Sequence, residues 1–409
     1  MQTKKHSDAS ISLCTFLLKV VGLWRAENPS EMRRRQIMIV YTLSHTLLAV
    51  AIEVRDFYFT WINKDDIFYV LTNSLTICMA LAKIYIILMH KAEFLDLIAY
   101  MEDKFWNVNY ENEEKKILDG CRKTCMFFVL TVSIVGLCVT VCYIMNPLIA
   151  RRANNESERL LLFNLWLSGP ILVSPYYEMT YTLQVINMYQ IGVCYFCFDT
   201  IFCIMAVHLS AQFRILQLRL TKLCNMQHQI TEKGAETMLR NHIEKSYRRF
   251  KQYVREHQAL IHFCDKLENV YTLIILGQVL VFSLLICLFG YQILLTNAPP
   301  ARRSIFICLM TGSMALLFMF TYSCDEVIER SDSIAFGAYS ALWTLMPMNK
   351  SGKMLRNDLI LVIVRARRVC CLTANGFFPV SLETYTSILS TAASYFTLLR
   401  SHIEHTSVT

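Results

Sequence analysis

With 409 residues, 55% of them hydrophobic, and a mean hydropathy of +0.37, the chain is too apolar for an ordinary soluble domain, whose apolar share lies nearer about 45–50%. The composition predicts an all-α, polytopic membrane protein. A formal net charge of +8 carries no nucleic-acid signal, because the basic residues gather on one side of the predicted spans.

Residues 1–36 hold Lys4, Lys5, Lys19, Arg25 and the triplet Arg33-Arg34-Arg35 against three acids. The apolar run 11–23 carries Lys19 and precedes Trp24-Arg25 without a small-residue cleavage site. It predicts an amphipathic helix at the membrane surface rather than a cleaved signal. Spans follow at about 37–59 and 67–89, joined by a short loop with Lys64, Asp65 and Asp66. A mixed-charge helical stretch, 90–122, leads to a third span at about 123–144, which stops at Asn146-Pro147.

The loop 148–180 contains the sequon Asn155-Glu156-Ser157, a weak motif whose use at Asn155 requires the loop to face outward. A fourth span, about 181–209, runs into a basic helical stretch; residues 210–268 carry eleven Lys or Arg against six acids. Fifth and sixth spans at about 267–295 and 304–322 flank Asn297-Ala298-Pro299-Pro300, and a polar stretch, 325–372, precedes the terminal helix. Seven spans alternate sides. With the N-terminus inside, the inner segments collect about 31 of the 40 Lys and Arg, so the positive-inside rule predicts a cytosolic N-terminus and an extracellular C-terminus. That is the reverse of a G-protein-coupled receptor. The predicted divisions are 1–36, interfacial; 37–209, helices one to four; 210–266, a cytosolic helical extension; 267–322, helices five and six; 323–376, a cytosolic segment; and 377–409, the terminal helix and external tail.

Sixteen cysteines are scattered, mostly inside apolar runs, where the residue behaves as a small hydrophobe; no disulfide is expected. Cys370-Cys371 lacks zinc spacing. No P-loop, glycine-rich dinucleotide turn, HExxH or nucleophile elbow is present, so neither an enzyme nor a cofactor is implied. The histidines do not pair at ligand spacing, and His242 and His257 are expected to be solvated. Two charges stand out within spans, Lys83 and Asp199. Lys83 is expected to snorkel to the interface, while Asp199 is ambiguous.

The terminal helix, 379–399, begins near Pro379 with Ser381 as a possible cap. Thr384, Ser387, Thr391 and Ser394 recur on one face, and a spanning helix with such a stripe needs a neighbouring helix or water beside it. Both readings stay open: helix packing or a water-lined pore. Ser133, Gly136 and Thr140 make a small polar face on the third helix. With aromatics and methionines on the fourth and sixth, they suit either interhelical packing or an apolar ligand pocket.

Several words in order resemble the C-terminal signature of the insect odorant receptors. They are Tyr322-Ser323-Cys324-Asp325-Glu326-Val327-Ile328-Glu329-Arg330-Ser331, Ala338-Tyr339-x-x-x-Trp343, Leu372-Thr373-Ala374-x-Gly376, Ser381-Leu382-Glu383-Thr384-Tyr385 and Ser394-Tyr395-Phe396-Thr397-Leu398-Leu399-Arg400. Weaker words are Gly22-Leu23-Trp24 and Gln184. The related gustatory receptors resemble Thr-Tyr, five apolar residues, then Gln-Phe; here Thr391-Ala392 stands where Gln-Phe belongs. The compact 210–266 stretch is similar to the variable, odorant-binding subunits rather than to the longer co-receptor.

The resemblance implies an odorant-gated, non-selective cation channel, a heterotetramer with the co-receptor in the dendritic plasma membrane of olfactory neurons. It implies a small volatile ligand and surrounding lipid as further partners. By position, Thr384, Ser387, Thr391 and Ser394 would line the pore and Leu398 would form its gate. The segment with Trp343 would join the subunit anchor. The implied odorant site lies between helices two, three, four and six. Ser133, Gly136 and Thr140 are matched by local pattern, Met310 and Ser313 by spacing to Cys324, and Leu75, Thr76, Ile191 and Tyr195 by depth. The rivals are a gustatory receptor of the same fold and a G-protein-coupled receptor.

Overall fold

The apolar runs pass without a break into polar helical stretches, so five of the helices run to 35 residues or more, far beyond the roughly 20 a bilayer requires. The computed structural model describes residues 9–26, 28–63, 67–154, 160–163, 165, 171–223, 235–294, 300–341, 343–345 and 350–408. Ten α-helices make up most of these: α1 (Ala9–Val21), α2 (Pro29–Asn63), α3 (Ile67–Met89), α4 (Lys91–Met101), α5 (Asn112–Asn154), α6 (Tyr176–Thr221), α7 (Ala235–Leu294), α8 (Pro300–Ser340), α9 (Lys350–Ala366) and α10 (Leu382–Val408). A π-helical turn, Glu102–Trp106, follows α4. Extended pairing among the described residues is confined to one antiparallel bridge, Thr373 with Pro379, ahead of α10.

Six of these helices, α2, α3, α5, α6, α7 and α8, are long and apolar enough to cross a membrane. The hydroxyls of α10 keep it below that mark. The centre of the bundle is α6, whose apolar stretch is 83% buried against 22% for α2 and for α5. Its longest seam is with α8, closed where Gly337 lies against the Gln217 backbone. Beyond their apolar stretches the helices are tied to one another by polar side chains. There Arg219 of α6 reaches Glu114 of α5 at 2.7 Å and Glu256 of α7 at 2.8 Å. Tyr247 of α7 donates to Asp358 of α9 at 2.9 Å.

Several expectations change. The helix expected to stop before Pro147 continues to Asn154. Proline removes the donor that the Tyr143 carbonyl would have met and crowds the preceding turn; in that turn Tyr181 Oη donates to the neighbouring Ile144 carbonyl at 2.8 Å. The helix that carries the first predicted span starts earlier, at Pro29, and so includes the basic triplet 33–35. The predicted amphipathic helix forms as α1, whose apolar side packs against α2, α5 and α6 with Leu18 and Val21 buried. His257 is buried against Phe213 rather than solvated, because α7 turns that face toward α6. Boundaries drawn at 209, 266 and 322 fall within continuous helices.

Candidate functional site

At the α2–α3 end of the bundle, six helices enclose a cavity of about 160 Å³. Helix α5 supplies Val135, Gly136, Val139, Thr140 and Tyr143, while α6 supplies Gln184, Asn187, Met188, Ile191, Gly192, Tyr195 and Phe196. Opposite stand Ala49, Ile52 and Glu53 of α2, Thr72, Asn73, Thr76 and Ile77 of α3, Leu285 and Phe289 of α7, and Leu309, Gly312, Ser313 and Leu316 of α8. The spacing of the α5 set follows the helical period, which places one face along the wall. Gly136 leaves room because a side chain there would reach the Phe196 ring, 3.7 Å from an ideal Cβ.

The roof is connecting chain. Gln184 accepts hydrogen bonds from the backbone N–H of Leu162 (3.1 Å) and Phe163 (3.4 Å) and donates to the Phe163 carbonyl at 2.8 Å. Phe163 thereby lies over the cavity beside Tyr143, ring centres 5.9 Å apart. Tyr143 Oη donates to Asn73 Oδ1 at 3.0 Å, joining α5 to α3. Asn187 Oδ1 lies 3.1 Å from His45 Nδ1, joining α6 to α2.

Of the nine residues expected at a pocket, Gly136, Thr140, Thr76, Ile191, Tyr195 and Ser313 line this cavity. Three do not. Ser133 lies less than one turn from Gly136 but on the exposed surface of α5, with its hydroxyl bonded to the Val129 carbonyl. Leu75 and Met310 are turned about 100° from Thr76 and Leu309 and pack into the core instead. Sequence reasoning missed Glu53, Asn73, Tyr143, Phe163, Gln184 and Asn187 as cavity residues. Glu53 had a signal, an acid inside an apolar span; Phe163 had none, since only folding brings its loop to the wall.

Helix α10 is capped where Ser381 N–H meets Thr384 Oγ1 at 3.2 Å, so Thr384 serves the helix start and is half-buried. Beyond it α10 has two faces. Ile388, Ala392 and Phe396 pack toward α7 and α8, whereas Ser387, Ser390, Thr391, Ser394 and Thr397 are exposed. Thr391 and Ser394 donate to the carbonyls of Ser387 and Ser390 at 2.8 and 3.0 Å. Leu398, one turn past Ser394, is 64% exposed. The cavity lies close by along α7: Phe289 lines it, and the adjacent Gly290 is covered by the Phe396 ring of α10, 3.3 Å from an ideal Cβ.

Residues 63–393 match the family model described as 7tm Odorant receptor. The chain belongs to the insect odorant receptors. This receptor is 24% identical to Odorant receptor 13a of Drosophila melanogaster, across 94% of this chain and 93% of that one. It is 22% identical to Odorant receptor 22c of the same species, across 94% of each. Its fold is similar to that of the insect olfactory receptor OR5 from Machilis hrabei in complex with eugenol. The TM-score is 0.78 at 16% identity, covering 97% of this chain and 98% of that one. The family is one of multi-pass membrane receptors, not enzymes.

Beneath the cavity the receptor buries an ion pair. Lys83 of α3 does not snorkel: its Nζ is 2.7 Å from Asp199 Oδ2 of α6, with Lys83 fully buried and Asp199 2% exposed. Gln278 of α7 donates to the same carboxylate oxygen at 2.8 Å, and Lys83 Nζ lies 3.9 Å from the centre of the Tyr195 ring. The cost of carrying either charge into the membrane is offset by the other. A further group, Cys121, Cys125 and His208, forms across α5 and α6 with ligand atoms within 4.8 Å of one another, a clustering invisible in spacing along the chain. Asn155 and the 64–66 loop lie outside the described residues.

Proposed function

We propose that the receptor is the odorant-binding subunit of a ligand-gated, non-selective cation channel, and that it opens a pore together with a co-receptor subunit. The assembly is a heterotetramer in the plasma membrane of the olfactory dendrite. The observation that carries the reading is α10: one face packs on the bundle, and the other presents Ser387, Thr391 and Ser394 outward. A hydroxyl face suits water or another subunit better than lipid. Several such helices around an axis enclose a polar path, which Leu398 on the same side closes as an apolar constriction.

The ligand is a small volatile molecule held in the cavity, where Gly136, Thr140, Thr76, Ile191, Tyr195 and Ser313 form part of the wall. Binding opens the channel by its differential affinity for two conformations. The route is short: Phe289 touches the cavity, and Gly290 and Cys287 touch Phe396 and the Ala392 carbonyl of α10. A ligand that shifts this part of α7 therefore shifts the pore helix. Leu398→Ser, co-expressed with the co-receptor, is expected to raise the basal current several-fold in whole-cell recording, with G-protein signalling blocked throughout. An unchanged basal current in a variant that reaches the surface removes Leu398 as the gate.

A further inference from the structure

Most hydrogen-bonding groups around the cavity are already engaged. Thr72, Thr76, Thr140 and Ser313 each donate to a carbonyl one turn back in their own helix, at 2.7 to 3.0 Å; a carbonyl only accepts, so those protons are taken. Tyr143 gives its proton to Asn73, and Gln184 is held by the roof segment. These groups confront a ligand chiefly with acceptor lone pairs.

Glu53 is different. It sits ten residues from the described end of α2, Asn63, and is 4% exposed, yet it lines the cavity. Its one hydrogen-bond partner among the described residues is the Ser74 hydroxyl, at 3.3 Å. No described cationic side chain lies within ion-pair distance of it: Arg302 of α8 is placed over the Tyr69 ring, 4.4 Å from its centre. Asp56, one turn along α2 and equally buried, adds like charge. Burying a carboxyl without a full set of partners is costly, and the cavity is where a missing partner can enter.

We infer that Glu53 is the polar anchor of the ligand site and that the receptor selects small lipophilic molecules bearing an N–H or O–H donor, amines and alcohols, over ethers of the same shape. This rests on the cavity being the ligand site. The size fits a compact body carrying one polar group, since a cavity of about 150 Å³ holds benzene. The donor points to Glu53, and the apolar remainder meets Ile52, Val139, Ile191 and Leu316.

The test uses the detergent-purified full chain and three probes of nearly equal size, benzylamine, benzyl alcohol and anisole, read by ligand-dependent thermal shift. Benzylamine and benzyl alcohol are expected to stabilise the wild type at concentrations about tenfold below anisole, the size of effect that one added hydrogen bond gives. Glu53→Gln should erase the advantage of benzylamine, and Ser74→Ala, which keeps the carboxyl and removes its protein donor, should retain it. Comparing the amine with the alcohol distinguishes a cation from a neutral donor. Anisole binding as well as the donors, or benzylamine binding equally to Glu53→Gln, overturns the anchor. Because the readout is binding, it is independent of the pore. Donor-selective binding without evoked current would leave the anchor standing and count against the channel.

Discussion

Removing one end of the Lys83–Asp199 pair strands a charge with few other partners. Lys83→Met leaves the Asp199 carboxylate, 2% exposed, with Gln278 at 2.8 Å as its other side-chain partner, so it is expected to cost about 3–5 kcal/mol. Lys83→Met combined with Asp199→Asn removes both charges while leaving Gln278 a partner, and should recover most of that loss. Thermal unfolding in detergent reads both, and a single variant no less stable than the double would mean that the charges are not coupled. Neither residue announces its partner along the chain, since 116 positions separate them. Taken alone, Lys83 suggests a side chain reaching for the interface and Asp199 is ambiguous, and the pairing exists only once α3 and α6 lie side by side. Glu53 was legible in principle as an acid within an apolar run, yet nothing nearby in sequence says that a cavity opens beside it.

The elements themselves follow closely from periodicity. Apolar stretches, turn residues at the α7–α8 connection and the hydroxyl stripe of α10 are local features and can be read locally. Helix ends are another matter: α5 runs on through Pro147 to Asn154, and in the turn before it Tyr181, on a different helix, donates to the Ile144 carbonyl. Close helix approach is also nonlocal. An ideal Cβ at Gly337 would lie 2.9 Å from the Gln217 carbonyl oxygen and 3.2 Å from its Cα, and backbone cannot step aside as a flexible side chain can. Gly337→Ala is therefore expected to force α6 and α8 apart and destabilise the receptor by about 1–3 kcal/mol. Gly120→Ala, with nothing within 4 Å of its Cβ, should be neutral or stabilising by up to about 1 kcal/mol, as in an exposed helix interior. Equal folded yields and melting temperatures for the two variants would show that the α6–α8 seam has slack.

At the scale of the molecule, six helices have the length and hydropathy to cross a membrane, and the terminal one is more polar. Its place among the seven predicted spans comes from its own length and pattern, and family words such as Ser381-Leu382-Glu383-Thr384-Tyr385 agree with it. The orientation is a matter of charge: with the basic stretch 210–268 inside, an epitope tag placed after Thr409 should be labelled on intact cells and one before Met1 only after permeabilisation. The opposite labelling would invert the membrane assignment. Ligand chemistry was the least accessible feature from sequence, because six helices and one loop contribute to a single cavity wall. Its roof depends on a single amide, Gln184, gripping two residues of connecting chain. Substitutions at Leu162 and Phe163 therefore alter the cover of the cavity while the helices that frame it stay untouched.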